Sequence, residues 1–181
     1  GKGLASIFGE DVSSVLEDIQ RGASDEYSSV KTLLKVSEIR PNPFQPRRFF
    51  DEDKLAELAE SIKQHGLFTP VLVRESIQGY ELVAGERRLR ACKLAKLKEI
   101  DAIIVDFDDA QMMEIAIVEN IQREDLNVIE EAQGYNLLIK NLGLTQEEVA
   151  GRVNKSRSHI TNILRLLRLP DEVQSMVATN K

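Results

Sequence analysis

The stretch from Thr145 to Leu164 restricts the fold of this chain more than any other part of its sequence. Thr145 and Glu148 have the spacing of a capping box, in which two side chains bond the free backbone N–H groups at the start of a helix. Asn154 tolerates the left-handed backbone conformation of a tight turn, and Ser156 is a preferred helix-capping residue. The spacing therefore predicts two short helices joined by a tight turn, which is a helix-turn-helix.

The second of these helices has a composition typical of DNA recognition. Ile160, Ile163 and Leu164 recur at helical spacing and form its inward face. Polar side chains near the start of such a helix reach base edges, and neighbouring cations hold phosphates. The residues predicted to contact DNA are Thr145, Gln146, Lys155, Ser156, Arg157, Ser158, His159, Thr161, Asn162 and Arg165. A plain helical hairpin with a solvated polar face is the alternative interpretation of this pattern.

The charge of the chain is unevenly distributed. Its formal net charge of -6 argues against nucleic-acid binding, because phosphate neutralisation needs Lys and Arg. Between Ala150 and Arg168, however, the sequence has five Lys or Arg residues and no acid, whereas its first thirty residues have six acids. A local excess of cations is what a phosphate-binding face requires, so the average charge does not exclude DNA.

Strand and helix patterns divide the chain into two parts. Runs rich in β-branched residues predict strands over 71–75, 80–84 and 100–105, of which the first two form a hairpin. After Leu126 every apolar pattern is helical. We therefore predict an α+β N-terminal domain followed by an all-α helix-turn-helix DNA-binding domain. The predicted boundaries are a flexible tail over 1–35, the α+β domain over 36–123 and the helix-turn-helix domain over 124–181.

The composition also predicts where the protein is located. The chain has one cysteine, Cys92, which has no partner for a disulfide or a zinc site. Its apolar runs are shorter than a membrane span requires, and no signal peptide opens the sequence. We expect a cytoplasmic protein that does not enter the membrane.

A second motif, from Gly85 to Arg90, lies where a predicted strand meets a predicted helix. A glycine at this junction lets the backbone approach a ligand closely, and the helix start offers free N–H groups to a phosphate. Three arginines within one helical turn, Arg87, Arg88 and Arg90, add charge-assisted hydrogen bonds to the same anion. The motif predicts a phosphate site, although an ordinary arginine-rich surface has the same pattern.

A third motif lies at the end of the predicted helix that follows the last strand. Glu119 and Arg123 are four residues apart and share one helical face, next to Asn120. Together a carboxylate, an amide and a guanidinium can hold a phosphate and its divalent cation. Taken alone, the pattern favours a simpler interpretation, a helical ion pair whose cation suits the helix C-terminus.

Four motifs in one order make this chain closely similar to the ParB family of bacterial chromosome segregation. They are Asn42 to Arg47, Gly85 to Ala91, Glu119 to Leu126, and the helix-turn-helix. The similarity covers nearly the whole chain. Members of the family continue into a C-terminal dimerisation domain, which we expect this chain to lack.

The resemblance implies that the first domain is a nucleotide-binding domain for CTP and Mg²⁺. Glu86 and Gln45 are implied to be catalytic in a slow CTPase reaction, and Glu119 and Asn120 to lie near the metal. The residues implied to surround the nucleotide are Thr69, Pro70, Val71, Leu82, Ala84, Gly85, Glu86, Arg87, Arg88, Arg47, Glu119, Asn120 and Arg123.

The resemblance also implies a cycle and a set of partners. A centromere-like parS site brings two chains together, CTP closes them as a sliding DNA clamp, and hydrolysis reopens the clamp. The implied partners are parS double-stranded DNA, a ParA-type ATPase that contacts the tail near Gly1 to Leu4, a second copy in a homodimer, and SMC condensin. The complex is expected on the nucleoid.

Two other functions share parts of this pattern. A nucleoid-occlusion paralogue has the same architecture but reads another DNA site and attaches to the membrane through an N-terminal amphipathic helix. Leu4, Ile7 and Phe8 would suit such a helix, but acids follow at once and Lys2 is the only nearby cation. A small-molecule kinase built on the same nucleotide-binding domain leaves the helix-turn-helix unexplained, and DNA would not change its nucleotide turnover.

Overall fold

The computed structural model describes residues 31–45, 50–67, 69–123 and 125–179 of the chain. It contains two compact units, one that ends at Met112 and one that begins at Met113. The predicted ATPase-contacting segment and Arg47 lie outside the described residues. The predicted boundary between 123 and 124 stays a prediction. Within the described residues, no helix combines the length and the apolar character needed to cross a membrane.

The first unit is built on a five-stranded mixed sheet with the strand order β1-β5-β3-β4-β2. Its strands are β1 (Lys31–Lys35), β2 (Ile39–Arg40), β3 (Val71–Ser76), β4 (Gly79–Ala84) and β5 (Glu99–Ile104). β3 and β4 form the predicted antiparallel hairpin, and β3 runs parallel to β5. The central strand β3 is therefore paired on both edges.

β1 lies within the stretch that we assigned to the flexible tail. It pairs antiparallel with β5, with Leu34 opposite Ile100, and Leu34 is the only buried side chain of the strand. An edge strand that buries one residue between exposed lysines has no clear alternation, so its sequence resembles a polar segment. Ordered structure therefore begins before Val36, which corrects the predicted extent of the tail.

Two helices of the first unit pack against each other beside the sheet, α1 (Glu52–His65) and α2 (Glu86–Leu94). Asp51 caps α1 as its sequence predicts, because its carboxylate accepts hydrogen bonds from the backbone N–H groups of Asp53 and Lys54. Ala59 and Ile62 form the buried face of α1. The structure confirms the α+β class.

The second unit is helical. Its helices are α3 (Asp109–Ile121), which begins in the first unit, and then α4 (Val128–Leu142), α5 (Gln146–Val153), α6 (Arg157–Arg165) and α7 (Asp171–Thr179). Thr145 and Glu148 form the predicted capping box, Asn154 has the left-handed φ of 57°, and Ser156 caps α6. The core includes Tyr135, Leu138, Val149 and Ile160, each at most 1% exposed. The helix-turn-helix prediction is confirmed.

α4 approaches the end of α3 at Gly134. A Cβ atom built on Gly134 would lie 2.5 Å from Cγ1 of Ile121, which is itself buried. Glycine inside a helix costs about 0.5–1 kcal/mol relative to alanine, and here its absent side chain makes the close packing possible. By contrast, a Cβ on Gly151 in α5 would meet nothing within 4 Å.

Gly134 and Gly151 allow a stability prediction in which one variant is the control for the other. Gly134→Ala overpacks the α3–α4 contact, and we expect it to lower the free energy of unfolding by about 1–3 kcal/mol. Gly151→Ala adds the same methyl group in open space, and we expect a gain of about 0.5–1 kcal/mol from helix propensity. Urea denaturation followed by circular dichroism measures both. Equal stability of the two variants would contradict the close packing at Gly134.

Candidate functional site

The turn at Gly85 joins β4 to α2. Gly85 has a left-handed φ of 105°, and a Cβ atom there would lie 3.1 Å from Cγ1 of Val71. A side chain at this position is therefore both strained and crowded. Within the described part of the chain no side chain caps α2, so the N–H groups of its first turn are available to an anion. The phosphate site at this turn stays a prediction.

Arg88 lies one turn into α2 and donates hydrogen bonds to the chain that precedes β3. Its Nη1 atom lies 3.3 Å from the carbonyl oxygen of Thr69 and 3.1 Å from that of Pro70. Burial lowers the pKa of the guanidinium. The structure thus brings Arg88, Thr69 and Pro70 together beside the Gly85 turn, with Val71 as the next residue along β3.

Arg90, one of the three arginines predicted to bond the anion, pairs with Glu86 at the start of α2. Arg90 Nη2 donates to Glu86 Oε1 at 3.4 Å, and the guanidinium of Arg90 lies 4.4 Å from the ring centroid of Phe50. Glu86 and Arg90 are four residues apart on one helical face, and this spacing is the sequence pattern that indicates the ion pair. Arg87 is exposed to solvent.

Leu82 and Ala84 lie on β4, opposite Val73 and Leu72 of β3. The side chain of Leu82 is 2% exposed and belongs to the hydrophobic core of the first unit. Leu82 can therefore face a ligand only through its backbone, whereas Ala84 is partly exposed next to Gly85.

The loop that carries Gln45 is fixed by Asn42, which is buried, with 7% of its surface exposed. Asn42 Nδ2 donates to the carbonyl oxygen of Met112 at 3.2 Å, and its Oδ1 accepts from the backbone N–H of Phe44 at 2.9 Å. Nε2 of Gln45 is buried and has no hydrogen-bond partner within the described residues. A buried donor that is left without a partner costs about 1–3 kcal/mol.

Glu119, Asn120 and Arg123 lie in the second unit. Arg123 Nη1 donates to Asn120 Oδ1 at 3.2 Å, and Arg123 Nη2 donates to Asp125 Oδ2 at 2.9 Å. Glu119 is half-buried and also has an interaction partner. In the described ranges, no three His, Cys, Asp or Glu side chains are grouped as a metal site of protein ligands requires.

The residues predicted to contact DNA divide into two groups around α6. The exposed group contains Thr145, Lys155, Ser156, Arg157, Ser158, Asn162 and Arg165. The other group is partly buried and bonded within the protein. Thr161 Oγ1 donates to Gln146 Oε1 at 2.6 Å, and His159 Nε2 lies 2.7 Å from Glu131 Oε2. The exposed group forms a polar face that can approach a ligand without rearrangement.

Arg152 belongs to the cluster of five cations that the sequence places around the helix-turn-helix. Its Nε atom lies 2.5 Å from Oε1 of Glu114 in an ion pair. This pair offsets one of the five positive charges. The cations that remain exposed are Lys155, Arg157, Arg165 and Arg168.

Comparison with known protein families settles which group of proteins combines these two units. Residues 20–121 match the ParB N-terminal domain, and residues 124–181 match the ParB HTH domain. The chain belongs to the ParB family. The resemblance and the two-part fold predicted from the sequence are thereby confirmed.

Curated ParB relatives align with almost the whole chain. It is 48% identical over 98% of its length to the stage 0 sporulation protein J of Bacillus subtilis, covering 58% of that protein. It is 49% identical over its full length to the probable chromosome-partitioning protein ParB of Helicobacter pylori, covering 61% of that protein. The chain thus spans about three fifths of the length of these relatives.

Two crystal structures of a C-terminally truncated ParB from Caulobacter crescentus are also similar. The structure complexed to the centromeric parS site has a TM-score of 0.69 and 44% identity, over 81% of this chain and 76% of that one. The structure complexed with CTP-gamma-S has 45% identity over 81% of this chain and 83% of that one. Its TM-score of 0.46 is too low to support a structural argument. That ParB homologue therefore binds parS in one structure and a CTP analogue in the other.

The single cysteine reports on the packing beneath the predicted phosphate site. Cys92 lies four residues after Arg88 on α2 and is 0% exposed. Burial raises the pKa of its thiol to about 11, an effect that the nearby Arg88 partly opposes. At neutral pH the side chain is therefore a buried thiol, and thiols react far more slowly than thiolates.

We expect Cys92 to resist iodoacetamide at pH 8 in the folded protein and to react in urea. The rise of the pKa from 9.0 to about 11 alone lowers the thiolate fraction about 100-fold, since each pKa unit is a factor of ten. The rate of alkylation, followed by mass spectrometry, measures this difference. Because the chain has one cysteine, every label reports on this site. Comparable rates in both conditions would show that α2 does not bury Cys92.

Proposed function

We propose that this chain is a chromosome-partitioning protein that binds a parS site through α6 and binds CTP at the Gly85 turn. The observation that carries the proposal is the combination, in one chain, of a glycine turn before an arginine-rich helix start and a helix-turn-helix with an exposed polar face. A kinase needs only the first of these features. The proposed location is the nucleoid in the cytoplasm.

DNA binding is supported by the character of the exposed side chains around α6. Arg157 can donate hydrogen bonds to base edges in the major groove, and Asn162 can both donate and accept them. Lys155 and Arg165 are exposed cations that can hold phosphates on either side. The related Caulobacter protein is complexed to parS, which identifies the kind of site to test.

CTP binding is supported by the backbone and charge at the Gly85 turn. The free N–H groups of α2 and the guanidinium of Arg88 can both bond phosphate oxygens. The buried Nε2 of Gln45 offers one further donor. The choice of cytosine over other bases follows from membership of the ParB family, and we propose it on that ground.

Hydrolysis and metal binding are proposed from the chemistry of the side chains. Glu86, held by Arg90, has a carboxylate that can orient a water molecule. The oxygen atoms of Glu119 and Asn120 are donors that suit Mg²⁺, which when bound neutralises charge on phosphate oxygens. Slow hydrolysis would act as a switch between states of a sliding clamp. A ParA-type ATPase, SMC condensin and a second copy of the chain are the proposed protein partners.

The nucleotide site is tested by comparing two positive charges on α2. Arg88→Ala removes a cation at the Gly85 turn and the donor to the Thr69 and Pro70 carbonyl oxygens, and we expect the Kd for CTP to rise at least about tenfold. Lys93→Ala removes an exposed cation near the other end of the helix, and we expect no change. Isothermal titration calorimetry with CTP and Mg²⁺ measures both.

The same variants should bind parS with the affinity of the wild type, because the helix-turn-helix belongs to the other unit. Release of inorganic phosphate, measured with and without parS DNA, tests the proposed switch. CTP binding that is unaffected by Arg88→Ala would rule out the phosphate site at this turn. Phosphate release that is the same with and without parS DNA would favour a kinase-like activity.

The DNA site is tested by comparing two exposed cations. Arg157→Ala should cost about 1–3 kcal/mol on the Caulobacter parS duplex and little on a scrambled duplex, because a base-reading contact is lost. Lys155→Ala should weaken both complexes alike and lower the salt slope by about one unit, because a phosphate contact is lost. Fluorescence anisotropy titrations at several salt concentrations distinguish the two. Identical behaviour of both variants would show that α6 does not read sequence.

A further inference from the structure

A carboxylate from α4 lies against the first turn of α6. Oε2 of Glu131 accepts a hydrogen bond from the hydroxyl of Tyr135 and lies 2.7 Å from Nε2 of His159. The rings of Tyr135 and His159 meet edge to face, with centroids 6.3 Å apart and an interplanar angle of 76°. One carboxylate oxygen therefore joins a buried residue of α4 to a residue of the predicted DNA-reading helix.

The exposed fraction of the side chain decreases from His159 through Glu131 to Tyr135. The side chains of His159 and Glu131 are 36% and 20% exposed, and Tyr135 is 1% exposed. Burial, together with the hydrogen bond and charge of Glu131, raises the pKa of Tyr135. The phenol therefore stays protonated and acts as a permanent donor to the carboxylate.

The position of Glu131 is unfavourable for a DNA-binding surface unless the carboxylate has a role there. A negative charge beside a phosphate-binding face repels DNA, and residues 150–168 contain no acid of their own. Glu131 comes from another helix, α4, and contacts this face through His159, while Tyr135 of α4 donates to the same carboxylate. Its partner His159 faces the protein, although its sequence position predicts a contact with DNA.

We infer that Glu131 is a positioning residue for sequence reading, which holds the first turns of α6 in place through His159. The inference rests on the proposed DNA binding and changes the role of one residue in it. His159 contributes to recognition only through its contact with Glu131. We call this contact between His159 and Glu131 the brace. The base-edge contacts are then left to Arg157, Ser158 and Asn162, which are exposed.

Other contacts of α6 show why this brace matters. Ser156 Oγ caps the helix by accepting from the N–H of His159 at 3.1 Å, and Thr161 Oγ1 bonds Gln146 of α5 at 2.6 Å. The Glu131 contact ties the same turn of α6 to α4. Since bidentate recognition of a base depends on the direction of the side chain, a helix that can rotate loses specificity before it loses phosphate contacts.

The test compares Glu131→Ala with Glu131→Gln in the whole chain. The readout is the ratio of affinities for the Caulobacter parS duplex and a scrambled duplex, measured well below the melting temperature. We expect Glu131→Ala to lower this ratio about tenfold, from the loss of a charge-assisted hydrogen bond. Glu131→Gln keeps an acceptor oxygen for both partners, and we expect it to keep most of the ratio. Glu147→Ala, which removes an exposed carboxylate from α5, should leave the ratio unchanged.

A purely structural role would lower the affinity for both duplexes by the same factor, and an unchanged ratio in Glu131→Ala would overturn the inference. If Glu131→Ala does not fold, Tyr135→Phe keeps the buried ring and removes only the hydroxyl. We expect this variant to lower the ratio about threefold, from the loss of one neutral hydrogen bond, and an unchanged ratio would again overturn the inference.

A double-mutant cycle separates bracing by His159 from direct contact with DNA. If His159 acts through Glu131, then His159→Ala adds no further loss of the ratio in the Glu131→Ala background. A second loss of similar size would show that His159 touches DNA itself and would contradict the brace.

The ¹⁵N spectrum of the His159 ring tests the contact without DNA, since we expect the Nε2 signal to shift in Glu131→Ala. An unshifted signal would overturn the brace. If the wild-type chain binds both duplexes equally, the proposed function is refuted. That result differs from the outcomes that would overturn only the role of Glu131.

Discussion

The burial of β3 between β4 and β5 is the constraint on which the proposed nucleotide site depends. Val71, Leu72 and Val73 are each at most 1% exposed, so the strand has no freedom to shift relative to its neighbours. The chain enters β3 through Thr69 and Pro70, whose carbonyl oxygens accept from Arg88, and it leaves β4 at Gly85. Both sides of the site are thus positioned by the same packed strand.

The helical unit depends on a different kind of constraint. Helices of eight or nine residues, such as α5 and α6, are too short to be stable alone in water. Asn127, Thr145 and Ser156 cap three successive helices, and Tyr135 and Ile160 fill the space between them. Caps determine where each helix begins, while the core determines which face turns inward. The polar face of α6 results from both.

Features encoded by neighbouring residues could be predicted from the sequence. The capping box of Thr145 and Glu148, the left-handed turn at Asn154 and the β3–β4 hairpin all depend on residues within a few positions of each other. β1 could not be predicted, because only pairing with β5 makes it a strand. The bonds from Arg88 to Thr69 and from His159 to Glu131 join residues 19 and 28 positions apart. No local pattern indicates such contacts, so the sequence could not predict them.

The buried amide of Gln45 has a consequence for how this protein could change over time. A buried donor with no partner among the described residues lowers stability, and an apolar replacement of similar shape would remove that cost. If Gln45 binds the nucleotide as we propose, selection for thermal stability and selection for ligand binding act in opposite directions at this position. A lineage that stopped using the nucleotide would have no reason to keep the amide. On that proposal, Gln45 is kept for nucleotide binding at a cost in stability.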